Sequence, residues 1–177
     1  SMSQRRSTTL YGHRGAVSCV AWNPSGSVLA SADFDGTIRL WDVASRDFRV
    51  VIDTSSTVRS LAWSPAGDQL AAGLHDEIRI YNAATGDIAQ TIPDATGNVY
   101  SIAWHRERPW LAWGDDTRSV TVLNIDLNER LWRSPSGGRI TSIAWRPATD
   151  LLAITNWDHT AKVLDVVKSA LVANFSM

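Results

Sequence analysis

The chain has 177 residues, of which 44% are hydrophobic and 20% charged, and its formal net charge is −1. This length suits one domain, and the hydrophobic fraction excludes a disordered chain. The balanced charge gives no strong field towards nucleic acid or an anionic membrane, and no apolar run approaches the roughly 18 residues of a membrane helix. The single Cys19 excludes an internal disulfide and suits a reducing compartment, so we expect a cytoplasmic protein.

The first quarter of the chain is predicted to form four short strands. Asn23-Pro24-Ser25-Gly26 is a strong turn signal between the first two, and Phe34-Asp35-Gly36 turns the chain into the third. The fourth is rich in β-branched residues, which favour strands. The predicted strands are Ala16–Trp22, Val28–Ala32, Thr37–Trp41 and Phe48–Ile52.

The same pattern is repeated three more times. No segment of ten or more residues has a helical period, so the chain is predicted to be all-β. The predicted strands are Thr57–Trp63, Gln69–Gly73, Glu77–Tyr81 and Ile88–Ile92 in the second unit, Asn98–Trp104, Trp110–Gly114, Ser119–Leu123 and Arg130–Arg133 in the third, and Arg139–Trp145, Leu151–Thr155, Ala161–Leu164 and Ala170–Phe175 in the fourth.

An Ala-Trp pair ends the first strand of every unit. The four tryptophans, at positions 22, 63, 104 and 145, are 41 residues apart each time (63 − 22, 104 − 63 and 145 − 104). A period of this length indicates a repeat architecture. These first strands carry apolar or small residues on both faces, so both faces need cover from neighbouring units. Four-stranded antiparallel sheets stacked radially form a β-propeller, which is the predicted fold.

The repeats resemble the WD40 family from about residue 8 to 175. The first unit matches well, with Gly12-His13, Ser31 to Gly36 and Trp41-Asp42 in the family's spacing, while the other three are degenerate. The resemblance implies propeller blades that dock other proteins without catalysis. We interpret residues 1–7 as a tag remnant and lead, and residues 8–177 as four repeats, approximately 8–47, 48–87, 88–129 and 130–177.

The resemblance also implies a buried hydrogen-bonded network in the first unit, formed by His13, Ser31, Asp35 and Trp41. A half-satisfied buried network is worse than none, so the degenerate units should replace several members together. Asp76 and Asp158 remain and are interpreted as turn formers. The replacements are Thr54, Ala95 and Ser136 for the histidine, Ala72, Trp113 and Ile154 for the serine, and Tyr81, Leu123 and Leu164 for the tryptophan.

His13, Ser31 and Asp35 have the residue types of a nucleophilic triad, but geometry and not residue type defines one. We interpret them as structural, with no catalytic residue, no cofactor and no metal ligand, since no acidic or histidine pair has a recognised metal spacing. Cys19 stands where the other units have serine and is predicted to be a small packing residue. Without a basic stripe, nucleic-acid binding is not expected.

The sequence supports a face that binds a partner protein better than it supports a catalytic, metal or nucleic-acid site. In the family, the residue before the network aspartate and the residues beside the first apolar position of each first strand line one face. Exposed aromatic side chains there would anchor a protein or peptide partner. The alternative is that Phe34 and Trp157 fold back onto neighbouring blades. The candidate residues are Phe34, His75, Asp116, Trp157, Arg59, Tyr100, Asn98 and Arg139.

The number of units leaves ring closure open. WD40 rings usually have seven or eight blades, and Arg6–Leu10 is predicted to add a leading outer strand to the sixteen. Three alternatives are open. The chain could be a fragment or engineered piece of a longer propeller, it could close as four blades, or it could form half of an eight-bladed ring with a second chain. We favour self-association, because an open arc exposes apolar faces and an unpaired edge. A small-molecule or hydrolytic site in the central channel is the competing function.

Overall fold

The structure is a computed structural model and describes residues 9–176. In this range the chain forms sixteen β-strands, and no helix there is long and apolar enough to cross a membrane. All sixteen predicted strands are confirmed, with bounds within three residues of the prediction. Of the predicted leading strand Arg6–Leu10, the described residues Thr9 and Leu10 are not in a strand. The rest of it, and residues 1–7, lie outside the described part.

The strands form four sheets, each built from four consecutive antiparallel strands. Sheet 1 contains β1 (Val17–Trp22), β2 (Val28–Asp33), β3 (Thr37–Asp42) and β4 (Asp47–Asp53). Sheet 2 contains β5 (Ser60–Trp63), β6 (Gln69–Gly73), β7 (Ile78–Asn82) and β8 (Ile88–Ile92). Sheet 3 contains β9 (Ser101–Trp104), β10 (Trp110–Gly114), β11 (Ser119–Asn124) and β12 (Glu129–Pro135). Sheet 4 contains β13 (Ile140–Trp145), β14 (Leu151–Asn156), β15 (Thr160–Asp165) and β16 (Ala170–Ser176). The repeat boundaries predicted from the sequence stay a prediction.

The periodic tryptophans join each sheet to the one before it. The indole N–H of Trp63 donates to the backbone carbonyl of Ala21, with 3.0 Å between Nε1 and O. Trp104 donates to Ala62 in the same way at 3.0 Å, and Trp145 to Ala103 at 3.1 Å. The 41-residue period therefore reflects the same contact between neighbouring sheets, which occurs three times in the chain.

Small residues let neighbouring sheets approach closely beside these tryptophans. A Cβ added at Gly73 would lie 2.8 Å from the Cβ of Val99, and one at Gly114 would lie 2.7 Å from the Cβ of Ile140. Real Cβ atoms do not come so close, so these junctions require glycine. Three apolar cores result, one at each junction, and they include the buried Val58, Val99 and Ile140 respectively.

Sheets 1 and 4 form the two ends of an open arc. Within residues 9–176, no strand of sheet 1 makes extensive contact with a strand of sheet 4. Val17, Val20 and Trp22 on β1 are 52%, 61% and 55% exposed, although their equivalents in the other sheets are buried or half-buried. The described chain therefore does not close as four blades, which removes one of the three alternatives.

Candidate functional site

Two large aromatic side chains stand on the same face of the arc. Phe34 follows β2 and Trp157 follows β14, each in the tight turn between the second and third strands of its sheet. Their side chains are 47% and 67% exposed, so they do not fold into the cores. Strand formation at these positions does not require an aromatic residue.

Arginine and tyrosine side chains connect these two aromatics across the four sheets. The guanidinium of Arg59 lies 5.9 Å from the ring centroid of Phe34 and 5.8 Å from that of Tyr100. That of Arg139 lies 4.8 Å from the ring of Tyr100 and 5.0 Å from that of Trp157. Such distances are typical of cation–π contacts. We call the series Phe34, Arg59, Tyr100, Arg139 and Trp157 the aromatic–arginine ladder.

Asp116 and Asn98 fix the middle of the ladder. The Tyr100 hydroxyl donates to Asp116 Oδ1 at 2.9 Å, and the backbone and side-chain amides of Asn98 donate to Asp116 Oδ2 at 2.8 and 2.9 Å. The Arg59 Nε donates to Asn98 Oδ1 at 2.8 Å, and Arg139 lies 3.7 Å from Asp116. These contacts hold the Tyr100 ring and the two guanidinium groups in place in the chain by itself.

The environment of Asp116 favours its ionised form. Burial by itself would raise the pKa of this carboxyl, but the hydrogen bonds from Asn98 and Tyr100 and the charge of Arg139 outweigh it and hold the pKa below its ordinary value. A carboxylate therefore lies beside the ladder, in contact with Arg139 directly and with Arg59 through Asn98.

His75 lies beside the ladder and not in it. Its ring Nδ1 is 2.8 Å from Asp76 Oδ2, and its backbone forms a β-bridge with Asn98. Its side chain is 60% exposed. The structure thus brings seven of the eight candidate partner-binding residues into one connected group and places the eighth next to it.

The buried network of the first sheet exists, but the prediction of Asp35 as its acid was wrong. His13 Nδ1 lies 2.8 Å from Asp33 Oδ2, and His13 Nε2 lies 2.5 Å from the hydroxyl of Ser31. The indole N–H of Trp41 donates to that hydroxyl at 2.7 Å. Asp35 is exposed in the turn, whereas Asp33 is fully buried.

Strand geometry explains the correction. Successive side chains on a strand point to opposite faces, so Ser31 and Asp33, two residues apart on β2, share the face towards His13. Asp35 comes after the end of β2, where this alternation no longer holds. The second carboxylate oxygen of Asp33 also accepts the backbone N–H of Thr37 at 2.8 Å, which closes the turn.

The other sheets carry different residues at the network positions, and among the described residues the replacements Tyr81 and Trp113 each have a buried polar atom without a hydrogen-bond partner. At the histidine position, the Thr54 hydroxyl donates to the Gly36 carbonyl at 2.8 Å and the Ser136 hydroxyl to the Arg118 carbonyl at 2.8 Å. Asp115, equivalent to Asp33 and missed by the sequence analysis, is buried and accepts the backbone N–H groups of Thr96 and Thr117. Its place at the end of β10 was the available signal.

The remaining predicted residues have structural surroundings. Cys19 is half-buried against the first core, and burial raises the pKa of its thiol, which makes the reactive thiolate scarcer. Asp76 and Asp158 are exposed in turns, where Asp158 accepts the backbone N–H of Thr160 at 3.1 Å. In the described range 9–176, no group of three or more His, Cys, Asp or Glu side chains is placed to hold a metal ion.

Comparisons with known proteins agree with this architecture. The model of the WD domain, G-beta repeat, matches residues 4–42 and 129–165, and that of the anaphase-promoting complex subunit 4 WD40 domain matches residues 48–107. THO complex subunit 3 of Arabidopsis thaliana is 27% identical over 160 residues, which are 86% of this chain and 50% of that protein. This chain spans half or less of the length of the curated relatives that it matches first.

Solved propeller structures align along nearly the whole chain. The crystal structure of the RRP9 WD40 repeats aligns with a TM-score of 0.88 at 24% identity, over 94% of this chain and 53% of that one. Chaetomium thermophilum Sqt1, bound to the N-terminus of the ribosomal protein L10, aligns with a TM-score of 0.84 at 19% identity, over 93% and 50%. Together the two family models match well over half of this sequence, and the chain belongs to the WD40 repeat family.

Proposed function

We propose that this chain is a non-catalytic docking module that binds a partner protein or peptide on the face of the aromatic–arginine ladder. The observation that carries the proposal is the continuity of the ladder across all four sheets, with an exposed aromatic side chain at each end. A few residues supply most of the binding energy at protein interfaces, and tryptophan, tyrosine and arginine are enriched among them. The Sqt1 structure, which has the same fold, contains a bound protein N-terminus, and this supports a partner of peptide size.

The order of the ladder supports high affinity. Long side chains that are already held by hydrogen bonds lose little conformational freedom when a partner binds. Asp116 and Asn98 provide these bonds for Tyr100 and Arg59. A partner residue can therefore pack on the exposed faces of Phe34 and Trp157 while its polar groups meet a surface of fixed charge.

We also propose that His13, Ser31 and Asp33 stabilise the first sheet and do not catalyse a reaction. Their hydrogen bonds follow the order of a nucleophilic triad, but Ser31 is buried and its oxygen already accepts the indole N–H of Trp41. The hydroxyl is therefore held between His13 and Trp41 in the interior and is not presented at the surface. We therefore propose no enzymatic activity and no cofactor, and a Ser31→Ala variant that lost a measured hydrolysis while staying folded would refute this.

The proposal does not include nucleic acid or a membrane as a partner. Asp116 contacts Arg139, and Asn98 joins it to Arg59, so the ladder is not the continuous basic stripe that phosphate backbones select. We also propose that the module works in the cytoplasm and associates with itself. The end faces of the arc, where β1 and sheet 4 are exposed, are the basis for self-association.

The ladder can be tested with the double variant Phe34→Ala/Trp157→Ala. A partner captured from cell extract by the wild-type chain is purified, and its Kd is measured by titration calorimetry against each variant. We expect binding to weaken at least tenfold, because both aromatic anchors are lost.

A matched control removes two apolar side chains of similar exposure from other surfaces. Leu127, in the turn between β11 and β12, is 68% exposed, and Phe175 on the outer strand β16 is 60% exposed. Leu127→Ala/Phe175→Ala should leave the Kd unchanged. If the ladder variant binds as tightly as this control, the partner site lies elsewhere.

A further inference from the structure

Within residues 9–176, no part of the chain covers the first end face of the arc, although its equivalents on the other sheets are covered. Val17, Val20 and Trp22 on β1 correspond to Val58, Leu61 and Trp63 on or just before β5. Sheet 1 covers that second set, so that Val58 is fully buried and Trp63 is 8% exposed. The same holds at the third and fourth sheets, where Val99 and Ile140 are fully buried. The apolar surface of β1 is therefore exposed, although the equivalent surface of every other sheet is packed against a neighbouring sheet.

The second end face, on sheet 4, is also exposed, and it carries the residues that in the other sheets pack against the following sheet. Ala153 on β14 is exposed, whereas its equivalents Ala30, Ala71 and Ala112 are fully buried beneath the next sheet. Ala144 on β13 is also exposed. Its equivalents are the three alanines whose carbonyls accept an indole N–H from the following sheet. Sheet 4 therefore presents the acceptor side of the junction, and β1 presents the donor side.

We propose that a second copy of this chain covers both end faces, with sheet 1 of each copy packed on sheet 4 of the other. The new junctions continue the one already used three times within the chain, so the indole N–H of Trp22 meets the carbonyl of Ala144 in the other copy. Because each copy supplies one donor face and one acceptor face, two copies close a ring of eight sheets about a twofold axis.

The curvature of the arc supports a two-copy ring. The arc superposes on the RRP9 propeller with a TM-score of 0.88 and fills 53% of that chain. It therefore already bends as a closed propeller does, and spans about half of one. Two such arcs suffice to complete a circle, and completion removes the exposed apolar faces and the sheet ends that favour aggregation.

One residue distinguishes the junction between copies from those within the chain. At the point of closest approach the first three sheets carry Ala32, Gly73 and Gly114, whereas sheet 4 carries Thr155. An added Cβ at Gly114 would already lie 2.7 Å from the Cβ of Ile140. Thr155 would face Val17 of the other copy, so that junction must be wider. We therefore expect association between copies to be reversible and weaker than the internal junctions.

The mass of the purified 177-residue chain tests the proposal. Light scattering after gel filtration, over a range of concentrations, should give a mass that rises with concentration from the chain mass of 19.4 kDa towards twice that value. Val20→Asp places a charge in the junction and should give 19.4 kDa with an unchanged circular dichroism spectrum, since Val20 is at the surface of a single chain. The control Val51→Asp, at a 46% exposed site on the outer strand β4, should stay dimeric.

Thr155→Gly provides a second, opposite test. Removing the side chain at the point of closest approach should lower the dimer dissociation constant about tenfold. The proposal would be overturned if both the wild-type chain and Thr155→Gly stayed at 19.4 kDa at every concentration. The end faces would then need cover from further sheets of a longer chain. A dimer that survives Val20→Asp would also overturn it, since association would then use another surface. Neither result bears on the ladder, whose partner binding is measured separately.

Discussion

Trp113→Ala should lower the free energy of unfolding by about 3–5 kcal/mol, the largest effect that we expect of a single substitution. Trp113 is the fourth residue of the five-residue strand β10 and is fully buried in the core between sheets 2 and 3. It occupies the position that Ser31 has in the first sheet. Removing so large a side chain from a closely packed junction leaves a cavity that two neighbouring sheets cannot both fill.

Trp113→Phe separates packing from hydrogen bonding at the same site. Within the described residues the indole N–H of Trp113 is buried and has no hydrogen-bond partner. A buried donor without a partner costs about 1–3 kcal/mol, and phenylalanine removes it while keeping most of the apolar volume. We expect Trp113→Phe to lose less than half of the stability that Trp113→Ala loses.

Urea unfolding followed by circular dichroism measures both variants. Fluorescence is unsuitable because the chain contains nine tryptophans. Trp157→Ala is the matched control, and it should change stability by less than about 1 kcal/mol because that side chain is 67% exposed. Equal losses in Trp113→Ala and Trp157→Ala would contradict the buried position. Equal losses in the alanine and phenylalanine variants would show that the indole N–H is satisfied.

Local signals were enough to predict the strands. Turn residues such as Asn23 to Gly26, and the Ala-Trp pair at the end of each first strand, located the strands to within three residues, and all sixteen strands are present. The period did not reveal what the tryptophans do. The bond from the Trp63 indole to the Ala21 carbonyl joins two sheets, and its geometry depends on how one sheet is placed against the next. No pattern within one repeat contains that information.

The candidate site was predicted only in part, because its contacts also depend on how one sheet is placed against the next. The residues of the ladder were identified from their positions in each repeat, but their alternation of aromatic and guanidinium groups was not. Arg59 contacts Phe34 of the preceding sheet and Tyr100 of the following one, so the alternation appears only when three sheets are stacked.

The misassigned network acid shows the limit of matching by motif. Asp33 and Asp35 are two residues apart, and the family's spacing selected the second. Strand alternation favours the first, because Asp33 is the last residue of β2 and shares the face of Ser31. Asp115, which directly follows β10, occupies the equivalent position in the third sheet. Where motif and strand geometry disagree, the geometry was the better guide.

Asp33→Asn should lower the free energy of unfolding at pH 7 by about 1–3 kcal/mol, while Asp35→Asn should leave it nearly unchanged. The asparagine keeps the shape of the side chain but loses the charge-assisted bond to His13, which is 2.8 Å long in the wild type. Asp35 is exposed, so water replaces whatever contacts its carboxylate makes. Equal effects of the two substitutions would restore Asp35 to the network.

The pH dependence of the same pair is a stricter test. Burial alone would raise the pKa of the Asp33 carboxyl, but hydrogen bonds from the Thr37 backbone and His13 outweigh it, so the folded-state pKa is lowered. A carboxyl of this kind stabilises the fold fully above its unfolded pKa of about 3.9, and the stabilisation is lost as pH falls through the lower folded value. The stability gap between wild type and Asp33→Asn, measured by urea unfolding, should therefore be constant from pH 7 down to about 5 and close below about 4. A gap that persists undiminished at pH 3 would mean that the carboxylate charge of Asp33 is not what holds His13 against Ser31 and Trp41.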